Sequence, residues 1–216
     1  MSLGSEYLDQ AILKYNLEDP WDCITLFENK IAKFTGAKYA ISTDCCTHAL
    51  FLALKYLDKH NIILSIPEKT YISVPSAIKL AGYDFNFTNE EWEGSYSLKP
   101  LNIIDSATQL FKNMYASGTL TCLSFHFRKI LPIGRGGMIL MDSIKAYEWF
   151  SLARYDGRNL KIKYENDDFA SMGYHMYLTP EQAAYGVYLF DNQMFQKIKD
   201  PSSKGYKSIA KYKKFY

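Results

Sequence analysis

Polar residues that could perform chemistry follow three apolar segments, each of which has the length of a β-strand. The first group spans residues 44–48 in "AISTDCCTHAL", the second is Asp105 in "NIIDSATQ", and the third contains Ser124 and Lys129 in "LSFHFRK". In α/β proteins, ligands bind at the carboxyl ends of parallel strands, where helix N-termini favour anions. The spacing therefore indicates one shared ligand site at an edge of a sheet.

Each group also has a simpler structural interpretation. Backbone N–H groups and the hydroxyl of Thr47 could hold a phosphate, but Thr47 could equally cap a helix. Asp105 ends an apolar strand, where a carboxylate is costly to bury without a partner, but it could instead cap the following turn. Lys129 lies beside Arg128, and a basic pair before glycines is typical of a solvated hairpin. Residue types and spacing leave these alternatives open.

The elements that must position these residues alternate along the chain. Apolar segments predict strands over 38–42, 61–66, 83–87, 101–105, 120–125 and 136–142, and helices over 18–36, 47–60, 74–82 and 143–154, with another after Thr179. Short apolar strands that alternate with helices indicate an α/β domain with a largely parallel central sheet.

Two helices have recognisable ends. Asp19 is the expected N-cap of the first, with Pro20 in its first turn and Gly36 at its end. Thr179 and Gln182 have the spacing of a capping box, which predicts another helix start.

Composition excludes several broad classes of protein. The chain has 216 residues, 48% hydrophobic and 22% charged, with a net charge of +2, so no overall basic field indicates nucleic-acid binding. No apolar run has the length of a membrane span. Cys45 and Cys46 are adjacent while Cys23 and Cys122 stand alone, which is neither a zinc spacing nor a disulfide framework. We therefore expect no metal and a reduced, cytoplasmic setting.

A set of motifs in a fixed order covers most of the chain from about residue 27 to residue 186. These motifs are "FENKIAKFTGAKYAIS" followed by "THALFLAL", then "KTYISVPSAIKLAG", "IIDSA", "SFHFRK" followed by "GRGGMIL", "RYDGR" and "GYHMYLTPEQAAYG". In this order they resemble the pyridoxal-phosphate-dependent nucleotide-sugar aminotransferases of the DegT/StrS type. Ser-Phe-His-x-x-Lys before a Gly-Gly strand is the most specific element. The resemblance implies the large domain of a fold type I pyridoxal-phosphate (PLP) transferase, a three-layer α/β/α domain.

Residues at matching positions take roles from the resemblance. Lys129 matches the lysine that forms a Schiff base with the cofactor, and Asp105 matches the carboxylate that pairs with the pyridine nitrogen. Tyr71 matches an aromatic residue that stacks on the cofactor ring. The family's dehydratases have histidine at the lysine position, so Lys129 implies aminotransfer.

The predicted phosphate contacts include two departures from the family pattern. Thr47 and Ser124 match phosphate-binding residues. Cys46 replaces the glycine that normally precedes Thr47, and its side chain could obstruct the approach to the phosphate. His175 replaces an asparagine that, in this family, reaches the phosphate across a dimer interface.

Further departures surround the expected site. Thr108 occupies a cofactor-site position, three residues past Asp105, that is usually histidine or glutamine. Arg135 replaces a glutamate between glycines, and Tyr177 replaces an arginine.

The resemblance implies transfer of an amino group, with glutamate the expected donor, to a keto-sugar attached to a nucleotide. It also implies a homodimer whose partners are small-molecule substrates rather than nucleic acid or membrane. Residues 1–200 are the expected PLP-binding large domain and 201–216 a basic tail or helix, with the family's C-terminal small domain largely absent. One alternative is a non-catalytic homologue that acts as an assembly partner. Another is a PLP enzyme acting on amino acids without a sugar.

Overall fold

Seven strands, six α-helices and two short 3-10 helices make up the regular structure of the described residues. The computed structural model describes residues 5–59, 61–169 and 171–211, so residues 212–216 of the predicted tail lie outside the described residues. The strands are β1 (Tyr39–Thr43), β2 (Ile63–Pro67), β3 (Asp84–Thr88), β4 (Tyr96–Ser97), β5 (Ile103–Asp105), β6 (Leu120–Ser124) and β7 (Gly137–Met141). The helices are α1 (Ser5–Tyr15), α2 (Asp22–Thr35), α3 (Cys46–Leu57), α4 (Ser73–Leu80), α5 (Ile144–Ala153) and α6 (Pro180–Asp191). All the predicted strands and helices are present, whereas α1 and β4 were not predicted.

The strands form a five-stranded sheet in the order β1-β7-β6-β5-β4 and a two-stranded sheet of β2 and β3. A bridge between Ser65 and Lys99 joins the two, with Ser65 N donating to the Lys99 carbonyl over 2.8 Å. The order of strands therefore continues across both sheets.

Strand direction corrects the prediction of a largely parallel sheet. In the five-stranded sheet β5 pairs parallel with β6, but β1–β7, β6–β7 and β4–β5 are antiparallel. A parallel pair needs a crossover connection, usually a helix, whereas antiparallel neighbours can be joined by a loop. The sequence predicts no helix between the segments that form β6 and β7. The short connection between these two strands is therefore the feature of the sequence that indicates an antiparallel pair.

Both faces of the sheet are buried, which confirms three α/β/α layers. Alternate residues of β7 point to opposite sides, so that Ile139 packs in the cluster with α3, α4 and α5 while Leu140 packs with α1, α2 and α6. Side chains on both faces are apolar because helices cover both.

The predicted helix ends hold in part. Gly36 ends α2 in the left-handed conformation at φ 82°, and Thr179 and Gln182 form the capping box of α6. Asp19 is not the N-cap of α2, which begins later; its carboxylate instead accepts a hydrogen bond from Trp21 N, over 2.8 Å. Among the described residues, none of the helices has the length and apolarity needed to cross a membrane.

The chain after α6 folds back over the domain. Ser203 and Ile209 are buried, and the described part is a loop with one 3-10 turn at Ser203–Gly205. Ser203 N donates to the Trp92 carbonyl and Ile209 N to the Glu68 carbonyl, each over 2.9 Å. This segment closes one side of the cavity described next.

Candidate active site

A cavity of about 710 Å³ lies where the three predicted groups of polar residues meet. Its walls come from the N-terminus of α3, the loops that follow β5 and β6, and residues 198–200 and 205–206 of the segment after α6. The predicted site residues that line it are Cys46, Thr47, Tyr71, Asp105, Thr108, Ser124 and Lys129. Strands β5 and β6 are parallel neighbours, so Asp105 and Ser124 end at the same edge of the sheet.

Lys129 lies half-buried in the loop between β6 and β7, where its backbone N–H donates to the His126 carbonyl over 2.8 Å. Burial lowers the pKa of the Lys129 amine, and the nearby Asp105 and Cys46 oppose that shift in part. A lowered pKa increases the fraction of neutral amine, the form that can accept a proton.

Asp105 is a buried carboxylate, 6% exposed, with a partner for each oxygen. Tyr96 donates its hydroxyl to Oδ2 over 2.7 Å, and Ala107 N donates to Oδ1 over 3.0 Å. Thr70 in turn hydrogen-bonds the Tyr96 hydroxyl. Burial raises the pKa of Asp105, while the hydrogen bonds from Tyr96 and Ala107 and the positive charge of Lys129 act to lower it. Both interpretations of Asp105 are therefore met, because one oxygen caps a turn and the other has a buried partner.

The N-terminus of α3 opens onto the cavity. The N-cap residue is Cys45, and its side chain makes no capping hydrogen bond to the first turn of the helix. Thr47 lies inside the helix and does not cap it; its hydroxyl is 2.7 Å from that of Ser73. Burial raises the pKa of the Cys46 thiol well above its ordinary range, so this side chain is neutral. The exposed end of α3 is therefore suited to an anion.

Thr108, Ser124 and Tyr71 complete the set of predicted residues on the cavity wall. Thr108 is buried and donates its hydroxyl to the Gly94 carbonyl over 2.6 Å, so it is directed at backbone. Ser124 ends β6 and Tyr71, which is 60% exposed, lies just before α4. The side chain that hydrogen-bonds Asp105 is Tyr96, whereas Thr108 bonds the backbone of Gly94.

His175 lies outside the cavity of its own chain. Its Nδ1 is 3.0 Å from the carboxylate of Asp156, and the side chain is largely exposed. Tyr177, next but one, packs against Trp21 and Tyr155. In a single chain His175 is therefore at the surface. The resemblance implies that a residue at this position reaches the phosphate site of a second subunit.

A charged network borders the N-terminus of α3. Arg135 donates to the Asp44 carboxylate over 2.5 Å, and His48 Nδ1 is 2.5 Å from the other oxygen of that carboxylate. The hydrogen bond with Asp44 raises the pKa of His48 to about 10, so His48 is protonated at neutral pH. The ligand atoms of Asp44, Cys45 and His48 lie within 4.8 Å of one another, as in a metal site. Arg135 and protonated His48 oppose a cation there.

Several residues of the site were not predicted. Tyr96 holds Asp105 and is itself held by Thr70, while Tyr206 and Lys199 face the cavity from the segment after α6. Gln196 donates from Nε2 to the Lys129 carbonyl over 2.5 Å. No local motif marks these residues, because each contact joins distant parts of the chain.

Comparison with known proteins places the chain in a family. The model of the DegT/DnrJ/EryC1/StrS aminotransferase family matches residues 8–113 and 106–200. Among curated proteins, GDP-perosamine synthase of Escherichia coli O157:H7 is 24% identical over 84% of this chain and 61% of its own length.

Solved structures share the fold at low sequence identity. The sugar aminotransferase CalS13 from Micromonospora echinospora superposes with a TM-score of 0.70 at 15% identity, over 88% of this chain and 66% of its own. PseC of Helicobacter pylori, an aminotransferase of pseudoaminic acid biosynthesis, has a TM-score of 0.65 at 17% identity, over 86% and 62%. The chain thus spans between about three-fifths and two-thirds of these relatives. The family and its structures imply pyridoxal phosphate as the cofactor. The match across residues 8–200 shows that the chain belongs to the DegT/DnrJ/EryC1/StrS aminotransferase family.

Proposed function

We propose that this chain is a PLP-dependent aminotransferase that moves an amino group from glutamate to a keto nucleotide-sugar. The observation that carries the proposal is that Lys129 and Asp105 line the same cavity. A lysine whose pKa is lowered and a buried carboxylate with fixed partners face one cavity from adjacent strand ends. Perturbed titratable groups in a cavity are typical of active sites.

The cavity residues fit the parts of pyridoxal phosphate. The uncapped start of α3 and the hydroxyls of Thr47 and Ser124 suit its phosphate, and Asp105 suits its ring nitrogen. Glycine at position 137 lets β7 approach α3 closely, because an added Cβ would lie 2.4 Å from the carbonyl carbon of Cys45. Lys129 is the proposed attachment residue, and Tyr71 offers an aromatic face.

The proposed mechanism assigns separate tasks to these side chains. Bound pyridoxal phosphate supplies an electron sink that stabilises negative charge on the carbon next to a substrate amine. Lys129, as a neutral amine, would accept a proton at Nζ from the substrate carbon and act as the acid that donates it onward. Asp105, held by Tyr96 and Ala107, would be the partner of the ring nitrogen. Residues 198–206 limit the access of water from one side.

The charge of the cavity supports anionic substrates. Arg128, Arg135 and Lys199 line it, against the carboxylates of Asp105 and Asp200. Cationic groups suit both the carboxylates of glutamate and the diphosphate of a nucleotide-sugar. We further propose that residues up to about 200 form the cofactor-binding domain and that two copies associate as a homodimer, with His175 at their interface. All four cysteines lie in the described residues and carry free thiols; a cytoplasmic location stays a prediction.

A visible absorption spectrum tests the proposal. The purified protein is titrated with pyridoxal phosphate beside Lys129→Ala, with exposed Lys112→Ala as the matched control. We expect the wild type and the control to gain a yellow absorption band that borohydride fixes on Lys129, as located by peptide mass spectrometry. We expect Lys129→Ala to lack the band. Glutamate should then bleach it in the wild type before reduction. Identical, colourless spectra for all three proteins would refute the enzymatic proposal and favour the non-catalytic alternative.

A further inference from the structure

Arg135 is a cation that lies between Gly134 and Gly136. The resemblance described above implies a glutamate at this position, so the charge here is reversed. The side chain lies on the wall of the cavity that also contains Thr47 and Ser124. A reversal of charge inside a ligand cavity changes which ligand groups can bind beside it.

Backbone packing brings Arg135 close to the start of α3. An added Cβ on Gly137 would lie 2.5 Å from Cys46 N, so the strand that follows Arg135 abuts the first turn of that helix. Arg135 Nε also donates to the Asp44 carbonyl over 3.3 Å. The guanidinium is thus held at the edge of the site proposed for the cofactor phosphate.

The local charges leave a net attraction for an anion. The Asp44 carboxylate lies between Arg135 and His48, and both of these neighbours are cations at neutral pH. Two positive charges against one negative leave one positive charge beside the positive end of the α3 dipole. An arginine side chain has five N–H donors, and in Arg135 the Nε and Nη2 groups donate to Asp44. Donors therefore remain for a phosphate oxygen.

We propose that Arg135 binds the phosphate of the cofactor and that Asp44 orients it for this contact. The proposal rests on the function proposed above and adds a residue that the family pattern does not supply. Arg135 contributes charge and hydrogen-bond donors at the phosphate end, whereas Lys129 and Asp105 act at the ring. A change at Arg135 should consequently alter recognition of the phosphate alone.

Two forms of the cofactor distinguish binding of the phosphate by Arg135 from any effect of Arg135 on binding of the ring. Pyridoxal phosphate and pyridoxal share the ring and the aldehyde, but pyridoxal has no phosphate. Dissociation constants of both are measured by absorption titration with the wild type, Arg135→Gln, Arg135→Lys and Lys145→Gln. Lys145 is an exposed residue of α5, so its variant matches the change in net charge away from the cavity.

We expect Arg135→Gln to weaken pyridoxal phosphate binding about tenfold, the effect of losing one charge-assisted contact of a partly exposed side chain. Its affinity for pyridoxal should be unchanged. Arg135→Lys should recover most of the loss, and Lys145→Gln should match the wild type. Inorganic phosphate should compete better in the wild type than in Arg135→Gln. Arg135 has 63% of its side chain exposed, so we expect its variants to fold, as checked by urea unfolding.

Three outcomes would overturn the inference. Equal weakening of pyridoxal and pyridoxal phosphate would assign Arg135 a structural role, and an unchanged affinity for pyridoxal phosphate would remove it from the phosphate site. Weakened binding of a nucleoside diphosphate with normal pyridoxal phosphate binding would place Arg135 at the substrate instead. If the wild type binds neither form of the cofactor, the proposed function itself fails, which is a distinct result.

Discussion

Replacing Tyr96 with phenylalanine should test how the fold holds its buried carboxylate. The change removes the O–H that donates to Asp105 Oδ2 over 2.7 Å and keeps the ring that packs against Trp92. It also removes the acceptor of the Thr70 hydroxyl. Burial already raises the pKa of Asp105, and loss of a donor to its ionised form should raise that pKa further.

The expected loss of stability follows from the burial of both partners. Tyr96 is 7% exposed and Asp105 is 6% exposed, so water cannot replace the lost donor or screen the charge. A hydrogen bond to a charged group contributes about 1.5–3 kcal/mol, and a neutral one about 1 kcal/mol. We therefore expect Tyr96→Phe to lower the free energy of unfolding by about 2 kcal/mol when Asp105 is ionised. In an Asp105→Asn background the same change should cost about 1 kcal/mol.

The assay is urea unfolding of the protein without cofactor, for the wild type, both single variants and the double variant. A carboxyl whose folded pKa is raised loses its contribution to stability as pH rises through that pKa. The cost of Tyr96→Phe should therefore decrease as the pH is lowered through the raised pKa of Asp105, because protonated Asp105 needs the donor less. A cost that is equal in both backgrounds and does not change with pH would show that Tyr96 acts by packing alone, contrary to this reasoning.

Two further predictions concern the loop that carries Lys129 and the contact between α1 and α6. Gln196→Ala removes the donors to two carbonyls of that loop. We expect it to lower the free energy of unfolding by about 1 kcal/mol and to speed amide hydrogen exchange in the loop. The control variant Gln10→Ala, at an exposed position, should change neither quantity. Burial acts to raise the pKa of Asp191, but hydrogen bonds from two lysines and a tyrosine outweigh it and lower the pKa to about 2. The stabilisation from ionised Asp191 is complete above the unfolded pKa and is lost as the pH falls from about 4 to 2. In urea unfolding, Asp191→Asn should therefore lower the free energy of unfolding by about 2 kcal/mol at about pH 7 and by little at about pH 2. A cost independent of pH would contradict that reading.

Strand and helix positions could be predicted because their causes are local. Apolar alternation and the capping box at Thr179 lie within a few residues of each other, so the sequence contains the whole pattern. Asp105 and Lys129 became candidates for the same reason, since each stands in or just after the end of an apolar segment. Their assignment to particular tasks came from the resemblance to a family.

Strand direction and the partners of the site residues required the tertiary structure. The antiparallel pairing of β6 and β7 depends on which edges meet, and a pattern of apolar residues is the same for either direction. Tyr96 was overlooked because it lies in a two-residue strand, too short to give a pattern.

The sequence by itself determined most of the strands and helices, with α1 and β4 excepted, and it placed Asp105 and Thr179 at element ends, because these features depend on short-range spacing. Only the tertiary structure decided what those residues touch. Arg135 meets Asp44 across 91 positions of the chain, and Gln196 meets Lys129 across 67. Such contacts depend on how layers pack, and the burial that shifts the pKa of Lys129 and Asp105 likewise exists only once the layers have closed around them.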